Sequence, residues 1–214
     1  MFRRCFWMLF FVCVCLGFNA AYGVQGDDEF ENLVQNADFV DGIVAPWTMC
    51  VEDAAAVATM SIDKGEGLME SDAMLIDISK KGGGQRVELH QRHFVLEKGQ
   101  QLTYAFWAKT EKDGVVEARM VVNHRADPWT SYGSKAITIT DEWTEFWTPV
   151  NMTADDDIVG IYVELRDTPS LVWFDNFRFY EGEYVELDLE GLPVKAVDPR
   201  SKVASTWAEI KVDR

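Results

Sequence analysis

The chain has 214 residues and a formal net charge of −16, from 36 acidic and 20 basic side chains. Such acidity repels nucleic acid and anionic lipid, which excludes partners held by a broad basic surface, and it suits solubility, divalent cations and neutral ligands. With 48% hydrophobic and 13% aromatic residues, including eight Trp and thirteen Phe, the chain has the apolar mass for one core and is not a disordered polymer.

The N-terminus opens with Arg3 and Arg4, then about fourteen apolar residues, then small residues at Ala21 and Gly23. These are the n-, h- and c-regions of a secretory signal, and residues 1–23 are predicted to be cleaved near Gly23. The apolar run falls short of the roughly 20 residues of a spanning helix. The expectation is a secreted protein, periplasmic or extracellular, with no membrane contact after cleavage. Loss of the two arginines takes the charge to about −18. Only Cys50 survives cleavage, so no internal disulfide can form and the fold must be held by its core. Residues 24–30 read as a linker.

From residue 31 onward, short apolar segments alternate with turn residues every ten positions or so, which is an all-β pattern. Strands are predicted over 56–62, 73–78, 85–91, 101–109, 115–123, 135–139, 145–150, 158–165 and 171–180. The intervening turns carry Gly65 and Gly67, Gly82 to Gly84, Gly99, Gly114 and Pro169. Three strands alternate plainly. Leu102, Tyr104, Phe106 and Ala108 share one face, with Thr103, Ala105, Trp107 and Lys109 on the other. Val87 and Leu89 point in, with Arg86, Glu88 and His90 out. Val159, Ile161, Val163 and Leu165 point in, with Gly160, Tyr162, Glu164 and Arg166 out. One apolar face per strand predicts a two-layer antiparallel β-sandwich, a jelly roll.

The stretch "SLVWFDNFRFYEG" over 170–182 breaks the alternation. Val172 and Phe174 are in one phase, Phe177 and Phe179 in the other. An extra residue at Asp175–Asn176, a β-bulge, would restore a single apolar face; aromatics on both faces are the alternative. The predicted sandwich ends near residue 187. Residues 188–214 read as a linker and a short amphipathic helix bearing Val203, Trp207 and Ile210, which either docks on the sandwich edge or meets a protein partner.

Four segments carry a resemblance, in order along residues 31–181. "ENLVQNADFVDGIVAPW" resembles the opening of carbohydrate-binding module families 4 and 9, through Asn32, Leu33, Asn36, Asp38, Phe39 and Trp47. "GQQLTYAFWAK" resembles their central strand, through Gly99, Tyr104, Phe106, Ala108 and Lys109. "ITITDEWTEF" resembles a later turn, through Trp143 and Phe146, and "VWFDNFRF" resembles the closing strand. The resemblance implies a galactose-binding-like jelly roll that binds polysaccharide or oligosaccharide and is not itself an enzyme, although such modules are commonly joined to glycoside hydrolases. It also implies a structural calcium at Asp175, held together with groups of the N-terminal segment, for which Asp38 and Asp41 are the candidates, with carbonyls from the loop around Asp63. The family's acidic residue after Phe39 is Val40 here. A buried carboxylate must be paired, protonated or metal-bound, and calcium takes oxygen ligands; backbone amides at the bulge could satisfy Asp175 instead.

Aromatic faces stack on pyranose C–H groups and polar side chains pair with hydroxyls. Two regions qualify. One is an outward sheet face with Glu88, His90, Trp107, Arg119, Asn123, Glu164 and Arg166. The other is the segment "NHRADPWTSYG", predicted to be a loop, where Trp129 and Tyr132 stand among turn residues. His90 and His93 are three apart on a strand and face opposite ways, which does not suit zinc. The competing readings are a structural or adhesion sandwich with a protein partner, and a small glycoside hydrolase or lyase or an accessory protein of one.

Overall fold

The structure is a computed structural model and describes residues 30–189 except 41, 43, 84, 85, 167 and 188. The predicted signal peptide, the linker at 24–29 and the predicted C-terminal helix lie outside the described residues.

Ten strands form two five-stranded antiparallel sheets among these residues. They are β1 (Thr48–Val51), β2 (Val57–Asp63), β3 (Ala73–Lys80), β4 (Arg86–Leu96), β5 (Gln101–Thr110), β6 (Val116–His124), β7 (Ser131–Ile139), β8 (Thr144–Asn151), β9 (Asp156–Arg166) and β10 (Ser170–Glu181). The first sheet runs β1-β4-β9-β6-β7 and the second β2-β3-β10-β5-β8. The predicted strands are all present, several of them longer than predicted, and β1 is an addition that the alternation of four residues could not signal. β7 begins at Ser131, four residues before its predicted start.

The core lies between the sheets, filled by alternate residues of each strand: Val87 and Leu89 of β4, Ile161 and Val163 of β9, and Tyr104 and Phe106 of β5, all fully buried. Strand β10 settles the question of its broken alternation. Val172, Phe174, Phe177 and Phe179 are all buried, and the register against β5 shifts between Asp175 and Arg178. Asp175 still pairs with Trp107, and the bulge is at Asn176–Phe177 opposite Phe106, one residue beyond the expected Asp175–Asn176; it keeps every one of these side chains on the core side. Asn176 adopts φ of 47°, a left-handed conformation that Asn tolerates better than most residues.

The opening segment is bound to this bulge by hydrogen bonds in place of a strand ladder. Asn32 Nδ2 donates to the carbonyl of Phe177 at 2.9 Å, and its Oδ1 accepts from Phe179 N at 3.0 Å. Leu33 N donates to Phe179 O, and Phe177 N to Ala37 O. One amide side chain thus straddles β10 as a neighbouring peptide would. Phe39 and Trp47 then enter the core beside Phe177, with ring centroids 6.1 and 4.3 Å from it, and Trp47 Nε1 donates to Asn36 O at 3.0 Å. Replacing Asn32 by Ala leaves a buried donor and acceptor of β10 unmatched and should lower unfolding stability by roughly 2 kcal/mol. Urea denaturation of Asn32→Ala measures it; an unchanged midpoint would show that the side chain is not holding β10.

Candidate functional site

The outer face of the first sheet carries a groove of about 380 Å³ over β4, β9, β6 and the segment between β6 and β7. The ladder explains its floor. Glu88 stands opposite Glu164, and Arg119 opposite Glu164 on the other side; Tyr162 stands opposite His90 and Val121. Outward residues on adjacent strands therefore form continuous rows, with Asn123 at the end nearest His124.

Arg125 organises this floor. Its guanidinium lies 4.7 Å from the Tyr162 ring centroid and 5.6 Å from that of Trp129, and its Nη2 donates to Glu88 at 3.0 Å. The stem of Arg125 fits only because residue 160 is glycine. A Cβ at Gly160 would stand 2.7 Å from both Cγ and Cδ of Arg125, closer than van der Waals contact permits. Glu88 also receives Arg86 Nε at 3.2 Å. A carboxylate this buried would be costly alone, and two guanidinium groups offset that cost.

Trp129 projects from the segment between β6 and β7, 54% exposed, with φ of 59° and its N–H on Ala126 O at 2.6 Å. A bulky residue in the left-handed region costs energy, and strain of this kind concentrates at binding sites. Two polar atoms lining the groove are buried with no hydrogen-bond partner, Asn123 Oδ1 and Arg125 Nε. The groups open to the groove are the exposed Trp129 ring and the exposed Arg119 guanidinium, an apolar face and a donor that a hydroxylated ring can use.

Of the residues expected to bind sugar on the sheet face or in the loop, Arg119, Asn123, Trp129 and Glu164 line this groove, and Glu88 lies beside it, bonded to Arg125. His90 lies next to it, opposite Tyr162, and Arg166 stands opposite Arg86. Trp107 does not join them. It is on β5 of the second sheet, facing outward beside Glu145 and Trp147, so the whole sandwich separates it from Trp129. Tyr132 does not join them either. It is the extra residue where the β6–β7 register shifts, it packs in the core, and its hydroxyl donates to Asp156 Oδ2 at 2.8 Å. Burial and that carboxylate push the phenol up to about 12. Arg125 and Tyr162 were not among the expected binding residues. Gly160 was a usable signal for Arg125, since an outward glycine within a strand marks close approach by another group.

Asp175, the last paired residue before the bulge, accepts from Leu68 N at 2.9 Å, Ser71 Oγ at 2.6 Å and Asn176 N at 2.6 Å. Burial outweighs these donors and pushes its carboxyl up to about 7, and the charge of Asp38 pushes the same way. Asn176 Oδ1 is buried with no donor. Asp38 and Asn176 are brought near each other by the hydrogen bond of Phe177 N to Ala37 O. Two carboxylates that repel each other and an undonated amide oxygen fit a hard cation. Among the described residues no three His, Cys, Asp or Glu side chains come together as a metal set, so carbonyl oxygens would complete the shell. Asp41 lies outside the described residues.

Several comparisons bear on these features. The family model described as carbohydrate binding domain (CBM_4_9) matches residues 31–170. No curated protein matches the sequence. Solved structures are similar in fold. One described as "CBM4 structure and function" has a TM-score of 0.57 at 20% identity, covering 70% of this chain and 99% of its own. TmCBM61 in complex with β-1,4-galactotriose has a TM-score of 0.53 at 19% identity, covering 71% and 99%. The CBM22-1 xylan-binding domain of Paenibacillus barcinonensis Xyn10C has a TM-score of 0.53 at 11% identity, covering 70% and 94%. At these identities the likeness shows the shared β-sandwich.

His90 yields a pH dependence. Burial first, and then the charges of Arg92 and Arg125, lower it from 6.5 to about 4. The unfolded chain therefore takes up this proton at higher pH than the folded one, so the associated stability is complete above pH 6.5 and is lost as pH falls through about 4. Each unit is worth about 1.4 kcal/mol, and screening by groove water leaves an effect on the order of 2 kcal/mol. His90→Gln should reduce by that amount the stability lost between pH 7 and pH 4, measured by urea unfolding at both pH values (~7 and ~4). Equal losses in the two proteins would contradict it.

Proposed function

The chain belongs to the carbohydrate binding domain family, and from that premise we propose that its sugar site is the groove under Trp129 and that it binds glycan without cleaving it. The observation that carries this reading is a solvent-facing Trp held at φ of 59° beside Arg125, over a groove also lined by Arg119 and Asn123. Trp129 supplies an exposed apolar ring face for pyranose C–H groups, and the buried Tyr162 ring supports Arg125 from beneath. Asn123, Arg119 and Arg125 supply hydroxyl partners at fixed positions. The hydrogen bond and ion pairs of Glu88, and the seat at Gly160, hold Arg125 before any ligand arrives, which lowers the ordering cost of binding. The galactotriose and xylan ligands of the similar structures support a β-linked polysaccharide or oligosaccharide as the kind of partner.

Trp129→Ala should weaken glycan binding about tenfold, the worth of one stacking contact, with little change in Tm because the ring packs on no core residue. Affinity electrophoresis against soluble glucans, xylans and galactans, with reducing ends assayed in the same samples, reads both parts. Unaltered retention of the variant, or release of reducing ends by the wild type, would refute the reading.

A structural calcium at Asp38, Asp175 and Asn176 belongs to the same proposal. It would join the opening segment to the β10 bulge in a domain without disulfides, supplying charge that the two carboxylates otherwise lack. Calcium at about a hundred times its dissociation constant would add about 2.7 kcal/mol, so chelation should lower Tm by roughly 5 °C or more. Calorimetry with chelator, then with calcium restored, checks this. Identical melting curves would remove the metal from the account.

A further inference from the structure

The charge of the groove runs against that of the chain. The sequence as a whole is acidic, at −16, yet the groove is lined by three guanidinium groups, Arg86, Arg119 and Arg125, and one carboxylate, Glu164. The neighbouring carboxylate, Glu88, is already engaged by Arg125 and Arg86, and only 3% of its side chain is exposed. Glu164 sits 3.8 Å from Arg86 Nη1 and 4.0 Å from Arg166 Nη1, at the outer limit of pairing. Arg119 is exposed and makes no ion pair among the described residues, although Glu164 is its partner in the β6–β9 ladder. Arg125 Nε is buried without an acceptor. Arg86 is also held by Glu52 at 2.7 Å, so Arg119 is the groove guanidinium that no carboxylate of the described residues engages.

A neutral glycan does not call for this unengaged guanidinium. Its hydroxyls both donate and accept, so uncharged amides and hydroxyls such as Asn123 serve them. An unengaged guanidinium fork matches a planar carboxylate, which accepts two parallel N–H bonds from one Arg. A cationic recess in an acidic surface also concentrates anions locally, because salt screens the distant negative charge within about 8–10 Å.

We propose that the groove takes an acidic glycan, whose pyranose rings carry carboxylate groups, with Arg119 receiving the carboxylate and the exposed Trp129 ring receiving the sugar face. This rests on the groove being the sugar site. Titration calorimetry of the protein tests it with oligogalacturonate, oligomannuronate and glucuronoxylan oligosaccharides, each paired with its carboxyl-reduced neutral counterpart of equal length. At least one acidic ligand should bind about tenfold tighter than its reduced partner at about 50 mM salt, with the preference fading by about 300 mM. In Arg119→Gln the acidic-to-neutral affinity ratio should fall close to one. Binding of the neutral counterparts as tightly as the acids, or a preference unaffected by both salt and Arg119→Gln, overturns the acidic ligand while the sugar site stands. Tighter binding of a sulfated glycan than of any uronate overturns the carboxylate assignment. Silence towards acidic and neutral glycans alike overturns the sugar site itself.

Discussion

The extra residue in β10 is the constraint on which this sandwich depends. Without it, the period of two would turn Phe177 and Phe179 to the outer face of the second sheet, and the aromatic contacts that fill the core would be lost. Phe177 alone lies within 6.5 Å, centroid to centroid, of Phe39, Trp47, Tyr104, Phe106 and Phe174. The bulge also interrupts the ladder, and the unpaired groups it leaves are met by chain from elsewhere. Asn32 and Ala37 reach Phe177 and Phe179, while Leu68 and Ser71 reach Asp175. The irregular segments at 31–40 and 67–72 are thereby tied to the closing strand, which is how a domain with a single described cysteine, Cys50, keeps its N-terminal segment in place.

With the core secured from within, the outer face of the first sheet carries polar side chains whose positions are set by strand register and not by their own packing. Gly160 leaves room at the centre of that face, Arg125 enters it, and Glu88 can then be buried as a charge. Each step depends on the one before. A larger residue at position 160 would expel Arg125 and leave Glu88 with Arg86 as its cationic partner. Trp129 is presented above Arg125 by a turn strained at its own backbone.

Much of this was legible in the chain itself. The apolar alternation of β4, β5 and β9 announced two layers, and the phase break at Asp175–Asn176 announced the bulge. The outward positions of Glu88, His90, Asn123, Glu164 and Arg166 followed from the same period of two. Trp107 shows where that logic ends: alternation says which residues face out, but not from which of two sheets. Tyr132 shows a second limit. It lies in a strand that starts earlier than its turn-rich sequence suggested, at an unpaired position that directs the ring inward to Asp156.

The sequence by itself determined the fold class, the core-facing residues and the bulge, because each is a local consequence of side-chain period along one strand. Only the tertiary structure decided which outward residues meet, since strand order is set by pairing between segments far apart in the chain. It placed β6 beside β9 and β9 beside β4, and so brought Arg125, Tyr162 and Glu88 together under Trp129. The sign of the charge in the groove follows the same rule. Composition sums charges over the whole chain, whereas a ligand meets the few that folding gathers in one place.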